Sequence, residues 1–318
     1  MTSPVQHPLA VIPVHNEAAT IAQVVRAALT YVPVIVVDDA SSDGSGPLAA
    51  ATGAIVLTLP YRHGKGAALR RGFVTATQEG ADAIVTLDGD GQHDPQDIPR
   101  LLTASQCWPD SIIIGSRVSA ASEMPRHRLH AIRVASFWIS WMTGCNIADT
   151  QSGFRVYPVH ILQSLRLQHG GFLLESELLL KASQAGWRID EIPIRARYPA
   201  GCKSHYRPVR DGVAAGLYLL YCGLRFWPTQ LRQLACRPRL SAGTRLEQVR
   251  HGAWVAGRAT GLLPLLGLTM VAQLLMGRVG LDILAPVIHC FYDQRLLRMP
   301  LAKRNALHDH QRRQWEWI

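Results

Sequence analysis

Several things are scarce or missing in this 318-residue chain. None of its six cysteines (Cys107, Cys145, Cys202, Cys222, Cys236, Cys290) belongs to a C-x-x-C pair. That spacing would mark a structural zinc site; without it a reduced, cytosolic setting is expected. Residues 1–8 carry neither a basic start nor an apolar run, so no secretory leader is expected. There is no internal repeat and no low-complexity tract, and a hydrophobic content of 48% excludes a disordered, collagen-like or coiled-coil chain. Lysine is rare, at four of the 33 basic residues, so arginine supplies nearly all the positive charge. Acidic residues are short in one region only. Residues 1–200 have a net charge of −1 and residues 201–318 of +11, so the overall +10 belongs to the C-terminal part. A basic, apolar tail on a neutral body suits an anionic surface, membrane or nucleic acid, unless it reflects arginine-rich composition alone.

What is present is an alternation of short apolar strands and amphipathic helices. Strands are predicted over residues 9–14, 34–37, 54–57, 83–87, 112–114, 154–157 and 188–195. Helices are predicted over 17–30, with Ile21, Val24, Val25, Ala28 and Leu29 on one face, and over 66–80, 126–142 and 173–185, the last closed by Gly186. This order implies an α/β fold with a mostly parallel sheet covered by helices, in which ligands bind at the carboxyl ends of the strands. The polar clusters fall at those ends: His15-Asn16-Glu17, Asp38-Asp39 and Asp88-Gly89-Asp90. A domain over 1–210 and a helical, basic appendage over 211–318 are expected.

The central chemical signal is Leu87-Asp88-Gly89-Asp90-Gly91-Gln92. Two carboxylates on a glycine-permitted turn can aim hard oxygen ligands at one point, and Gln92 can add another oxygen. Mg²⁺ and Mn²⁺ favour such ligands and need few from the protein when a diphosphate supplies the rest. The alternative is a solvated turn, where Asp and Gly are common. Asp38 and Asp39 end a neighbouring strand, where carboxylates can accept from a nucleobase N–H or ribose hydroxyls. His63-Gly64-Lys65-Gly66 opens a helix, a place suited to phosphate, without the complete Walker spacing.

Taken in order, the strings Val11-Ile12-Pro13-Val14-His15-Asn16-Glu17, Val37-Asp38-Asp39-Ala40-Ser41-Ser42-Asp43-Gly44, Gly64-Lys65-Gly66-Ala67-Ala68-Leu69 and Leu87 through Pro95 resemble the family-2 glycosyltransferases. The nearer resemblance is to the dolichol- or polyprenyl-phosphate mannose and glucose synthase branch. It continues through Gly115-Ser116-Arg117, Asp149-Thr150-Gln151-Ser152-Gly153-Phe154-Arg155, Phe172-x-x-Glu175-x-Glu177, Glu191-Ile192-Pro193-Ile194 and Ser204-His205-Tyr206-Arg207-Pro208, covering residues 8–212.

The resemblance implies a GT-A, Rossmann-like fold and inverting transfer from a nucleotide-diphosphate sugar of the GDP-mannose or UDP-glucose type. It implies that Pro13, Glu17, Asp38 and Asp39 line the nucleoside pocket. Asp88, Asp90 and Gln92 would surround a Mg²⁺ or Mn²⁺ ion and the diphosphate. Lys65 is a further candidate on the donor side, Arg117 would handle phosphate on the acceptor side, and Asp149 and Glu175 or Glu177 would lie near the acceptor. Spaced two apart, Glu175 and Glu177 do not share a helix face, so one is expected to be functional and one on the surface. Asp149 is alternatively a helix cap or a partner for Arg155.

Charge then sets the mechanism. A lipid-phosphate acceptor is already anionic, so positioning and electrostatics dominate; a hydroxyl acceptor needs a carboxylate such as Asp149 or Glu175 to take its proton. Arg126, Arg128 and Arg133, ahead of Phe137, Trp138 and Trp141, suit either a lipid phosphate with its prenyl chain or an ordinary core helix with basic ends. Lys203, Ser204, His205 and Arg207 are candidates for a loop over the acceptor.

The tail departs from the family pattern. Residues 259–277 form a 19-residue uncharged run with Pro264 and Gln273 inside it, for which an interfacial or docked helix is favoured over a span. Residues 254–313 resemble the opening of bacterial lipid-A-type acyltransferase domains. None of the 13 histidines has Asp five positions later, so the H-x-x-x-x-D motif is absent and no acyl transfer is expected. A sugar-nucleotide nucleotidyltransferase would open with a glycine- and arginine-rich loop where this chain has His15-Asn16-Glu17. The expected partners are a nucleotide sugar, a polyprenyl phosphate or other lipid acceptor, and the cytoplasmic face of the membrane, with no nucleic acid.

Overall fold

The computed structural model describes residues 5–118, 124–143, 145–168, 170–171 and 173–197, with 216–218, 221–222 and 267; the side chains of His127 and Trp141 are outside this set. The chain divides into two compact units, residues 1–139 with 147–206, and residues 140–146 with 207–318. The first unit holds every strand of the sheet. Lys203, Ser204, His205, Arg207 and, apart from Gly267, the run 259–277 lie outside the described residues.

The elements run β1 (Pro8–Val14), α1 (Ile21–Leu29), β2 (Val34–Asp38), α2 (Ser45–Ala50), β3 (Ile55–Thr58), α3 (Lys65–Gln78) and β4 (Ala83–Thr86). A 3₁₀ turn (Pro95–Asp97) leads into α4 (Ile98–Cys107), β5 (Ser111–Ser116) and α5 (Arg126–Thr143). Then come β6 (Arg155–Pro158), α6 (Val159–Ser164), α7 (Leu173–Gln184) and β7 (Arg188–Pro193). They build a seven-stranded sheet of order β3-β2-β1-β4-β6-β5-β7. Every pairing is parallel except those of β6, which runs antiparallel to both β4 and β5.

The strand cores are continuous apolar runs because both faces are covered. β2 is buried throughout, and in β1 every residue after Pro8 is buried. The core joins Ile12 and Val14 of β1, Val34 and Val36 of β2 and Val85 of β4 to Ile21, Val24, Val25 and Ala28 of α1. The face predicted for α1 is therefore the face it buries. Its start is not where predicted: the helix begins at Ile21, because residues 17–20 form a turn whose Glu17 amide donates to Ser45 Oγ at 2.8 Å.

The reversal of β6 positions the site. In a sheet otherwise parallel, it brings the loop before β6 to the edge where β1, β2, β4 and β5 end. Thr86, the last residue of β4, pairs with Arg155, the first of β6, and Ile114 of β5 pairs with the same arginine. Asp88 and the 149–153 loop thus meet at one edge.

Candidate functional site

Three loops at the carboxyl ends of β1, β2 and β4 form one side of the site. The Asn16 amide donates to Ser41 Oγ at 3.0 Å, and the Ser42 amide donates to Asn16 Oδ1 at 2.8 Å. The Ala18 amide donates to Asp43 Oδ2 at 2.9 Å. Asn16 (φ 57°) and Ala40 (φ 55°) both sit in the left-handed region, the strained backbone found at functional turns. Thr20 Oγ1 donates to the Gly89 carbonyl at 2.7 Å and ties the start of α1 to the Asp88-Gly89-Asp90 turn.

Of the residues assigned to a nucleoside pocket, Pro13, Asp38 and Asp39 are buried and Glu17 is half-buried. Asp38 Oδ1 accepts the Ser41 amide at 3.0 Å. Asp39 accepts the His63 amide on one oxygen and the Gly64 amide on the other, at 2.7 Å each, and so fastens the start of α3 to the end of β2.

The Asp88-Gly89-Asp90 turn holds opposed charges. Lys65 Nζ lies 2.7 Å from Asp88 Oδ1 and 3.2 Å from Glu175 Oε1. Burial pushes the Asp88 carboxyl up, but the Lys65 ammonium, with His93 and Arg117 behind it, overrides this and holds it at about 2. Gly153 gives Asp88 its room, since a Cβ there would lie 2.6 Å from Asp88 Oδ2. Asp90 goes the other way: burial and the Asp88 charge raise it, against a hydrogen bond from the Gln92 amide at 3.0 Å. Glu17 is raised to about 7 by burial, then by Asp90, Asp88 and Asp43. Among the described residues no three His, Cys, Asp or Glu side chains are close enough to hold a metal by themselves. The donor set is instead a partial one. Asp88 and Asp90 offer hard oxygens on one turn, where burial and then the Asp88 charge raise Asp90, which fits a divalent cation whose other ligands come from a diphosphate. Gln92 fits this set less well, because its side-chain oxygen accepts the Arg128 guanidinium at 2.9 Å.

The other side of the site is built from buried ion pairs. Asp149 is fully buried and takes Arg117 as a fork, Nε to Oδ2 at 2.8 Å and Nη2 to Oδ1 at 2.9 Å, with the Arg117 amide also donating to Oδ2. Burial would raise Asp149; Arg117 more than offsets this and holds the carboxyl below its ordinary value. Asp149 is therefore neither a helix cap nor the partner of Arg155. Glu191 holds that loop from beyond, its two oxygens accepting the Ala148 and Asp149 amides at 2.7 and 2.8 Å. Arg155, fully buried, donates to the carbonyls of Ser152, Thr150 and Glu175 and to the Tyr157 hydroxyl, which joins the 149–153 loop to the first turn of α7.

Neither glutamate of α7 is on the surface. Glu175 is buried and paired with Lys65; Glu177 is fully buried, accepting the Gln168 amide and pairing with Lys181 at 2.7 Å. The expectation of one surface glutamate fails because α7 is covered on nearly every side over Leu174–Leu180. Of the arginine cluster, Arg128 reaches the site through Gln92, Arg126 is exposed and Arg133 is half-buried. Phe137 and Trp138 are buried and packed edge to face at 4.9 Å.

Three contributors receive no role of their own from the sequence. Arg128 stands there only as one of a cluster, and Glu191 and His93 only inside longer strings. His93 accepts the Asp88 amide on Nδ1 at 3.3 Å, and burial lowers it to about 4 against the pull of Asp88, so the ring is neutral at pH 7. Its buried Nε2 has no hydrogen-bond partner among the described residues.

Residues 9–165 match the family model described as glycosyl transferase family 2. The chain is 32% identical over 200 residues to the undecaprenyl-phosphate mannosyltransferase of Micrococcus luteus, a span of 58% of this chain and 82% of that one. It is 30% identical over 206 residues to the polyprenol monophosphomannose synthase of Mycolicibacterium smegmatis, covering 60% and 77%. Among solved structures, glucosyl-3-phosphoglycerate synthase from Mycobacterium tuberculosis, in complex with Mn²⁺, UDP and phosphoglyceric acid, superposes with a TM-score of 0.51 at 25% identity. That match covers 69% of this chain and 79% of that one.

Proposed function

Because the chain belongs to glycosyl transferase family 2, and is a glycosyltransferase of the GT-A fold, we propose that it moves a sugar from a nucleotide-diphosphate donor to the phosphate of a polyprenyl phosphate at the cytoplasmic face of the membrane. The observation that carries this reading is the state of the two carboxylates nearest the proposed acceptor. Asp149 is held by Arg117 and depressed, and Glu175 is paired with Lys65. A hydroxyl acceptor would need one of them as a base. A phosphate acceptor is already an anion and needs only to be aimed. The names of the two mannosyl-transferring relatives support the same acceptor.

In this reading Pro13, Glu17, Asp38 and Asp39 border the nucleoside, and Asp88 and Asp90 would hold the divalent cation, whose charge would draw in the diphosphate. A bound Mg²⁺ or Mn²⁺ would supply positive charge for the departing nucleoside diphosphate. Lys65 adds charge on the same side, and the acceptor phosphate approaches from the Arg117 side, opposite the leaving group. Gln92 holds Arg128 toward the site, which adds a cation to those facing the two phosphates. Glu191 fixes the Asp149 loop and hence the Arg117 fork. Membrane attachment is assigned to the basic C-terminal region; among the described residues no helix is long and apolar enough to cross a membrane.

The test incubates the full chain with Mg²⁺ or Mn²⁺, labelled nucleotide sugars and polyprenyl phosphate, and counts label in the organic phase. Label from one donor, lost in Asp90→Ala, supports the reading. Nucleoside diphosphate release without lipid label would move the search to a different acceptor, and no turnover of any donor would contradict it.

A further inference from the structure

A lysine ammonium sits on an oxygen that the proposed divalent cation would also use. Lys65 Nζ sits 2.7 Å from Asp88 Oδ1, with its side chain only 19% exposed, and Asp88 is the carboxylate that the Asp88-Gly89-Asp90 turn would offer to metal. We propose that Lys65 is the resident cation of the donor-free site: it neutralises Asp88, holds off free metal, and releases Asp88 only when a nucleoside diphosphate arrives to take the ammonium and bring the cation with it. This rests on the metal-dependent reading above.

Three features carry the inference. First, the remaining donors are too few to hold a cation without Asp88. The turn has two carboxylates; with Asp88 held by Lys65 it offers Asp90, whose Oδ1 already accepts the Gln92 amide, and even with Asp88 no three-residue metal group is present among the described residues. Second, Lys65 has somewhere to stay. Glu175 Oε1 lies 3.2 Å from Nζ, so the ammonium keeps a buried counter-charge when Asp88 is given up. Third, the backbone that carries Lys65 is fixed. Gly66 packs backbone to backbone on the lead-in to α7; a Cβ there would lie 2.5 Å from the Gly171 carbonyl oxygen and 2.6 Å from its nitrogen. Asp39 pins the preceding turn through the His63 and Gly64 amides. Motion is thereby left to the flexible four-carbon stem of Lys65. The resulting binding order is metal together with nucleotide sugar, not metal first.

The experiment measures Mn²⁺ binding, by electron paramagnetic resonance of the free ion, to the full chain with and without UDP or GDP. The wild type is set beside Lys65→Gln and the charge-preserving Lys65→Arg, with folding checked by circular dichroism. Without nucleotide, Lys65→Gln should bind Mn²⁺ about tenfold tighter than the wild type, the effect of removing one adjacent positive charge; Lys65→Arg should stay close to the wild type. A folded Lys65→Gln with wild-type or weaker Mn²⁺ affinity would overturn the proposal without bearing on the metal-dependent reading. If the Gln variant does not fold, the wild type decides: Mn²⁺ bound equally well with and without nucleoside diphosphate overturns it. Mn²⁺ bound under no condition would instead overturn the metal-dependent reading itself.

Discussion

Beside β1, β2 and β4, the carboxyls of Glu17 and Asp90 are pushed upward, by burial first and then by the charge of Asp88, with Asp90 adding to the rise of Glu17. Beside β5, β6 and β7, Asp149 is gripped by Arg117 and pushed downward, and Arg155 is enclosed by three carbonyls and a hydroxyl. One end of the edge carries negative charge that an incoming cation would relieve. The other has its charged groups paired or hydrogen-bonded before any ligand arrives, an arrangement already in place when charge shifts during transfer. Lys65 bridges the two ends, from Asp88 to Glu175.

The comparison can be broken most sharply at Asp90. Asp90→Ala should lower transfer about a thousandfold, the scale of losing one charge-stabilising group, while its thermal midpoint holds or rises, because a repelled carboxylate has been removed. A steady-state assay with a thermal melt checks both; transfer retained in the folded variant would remove Asp90 from the metal site. At the other end stability is at stake. Arg155→Met should cost roughly 3 kcal/mol in urea unfolding, since buried carbonyls lose a charged partner.

Arg117→Lys keeps the charge and loses the fork. The acceptor KM should rise about tenfold with the donor KM unchanged, as expected when a bidentate pair becomes a point contact. Equal changes in both constants would show that Arg117 serves the whole site rather than the acceptor side.

The smallest effects are in pH, and they have opposite signs. Asp149 has a folded pKa below its unfolded value of about 3.9, so its contribution is present above that pH and is lost as pH falls through the lower folded value. The stability gap between wild type and Arg117→Met should therefore narrow below about pH 4. Glu17 has a folded pKa raised to about 7; its protonated form contributes stability below the unfolded value, which is lost as pH rises through 7. Metal-free Glu17→Gln should thus match the wild type at low pH and exceed it slightly at pH 8, by an amount reduced by solvent screening. Denaturant midpoints across pH would read both signs; the same sign at both sites would erase the contrast.

Much of this was legible in the sequence because apolar runs ending in Asp mark strand ends directly. β2 closes on Asp38, and Asp88 lies two residues beyond β4. The face of α1 was equally plain. Three short helices were not. α4 follows Pro95, carries Pro99 in its first turn and shows only Ile98, Leu101, Ala104 and Ser105 buried, and α2 and α6 span six residues each, too few for a period to emerge. The antiparallel direction of β6 leaves no mark in its own residues, yet it brings the loop carrying Asp149 to the edge. The Arg117–Asp149 fork joins residues 32 apart, and Glu191 reaches Asp149 across 42; no local pattern encodes either. One of Glu175 and Glu177 was expected on the surface because spacing speaks only for the helix's own faces, not for what covers them.

The most direct measurement sets polyprenyl phosphate beside the corresponding free polyprenol, with the same labelled nucleotide sugar and the same divalent cation. If the acceptor is a ready-made anion and neither Asp149 nor Glu175 serves as a base, label enters the phosphate and not the alcohol. Label entering the alcohol as fast as the phosphate would mean that a carboxylate does take a proton, and would contradict the assignment of the acceptor side as a neutralised, base-free surface.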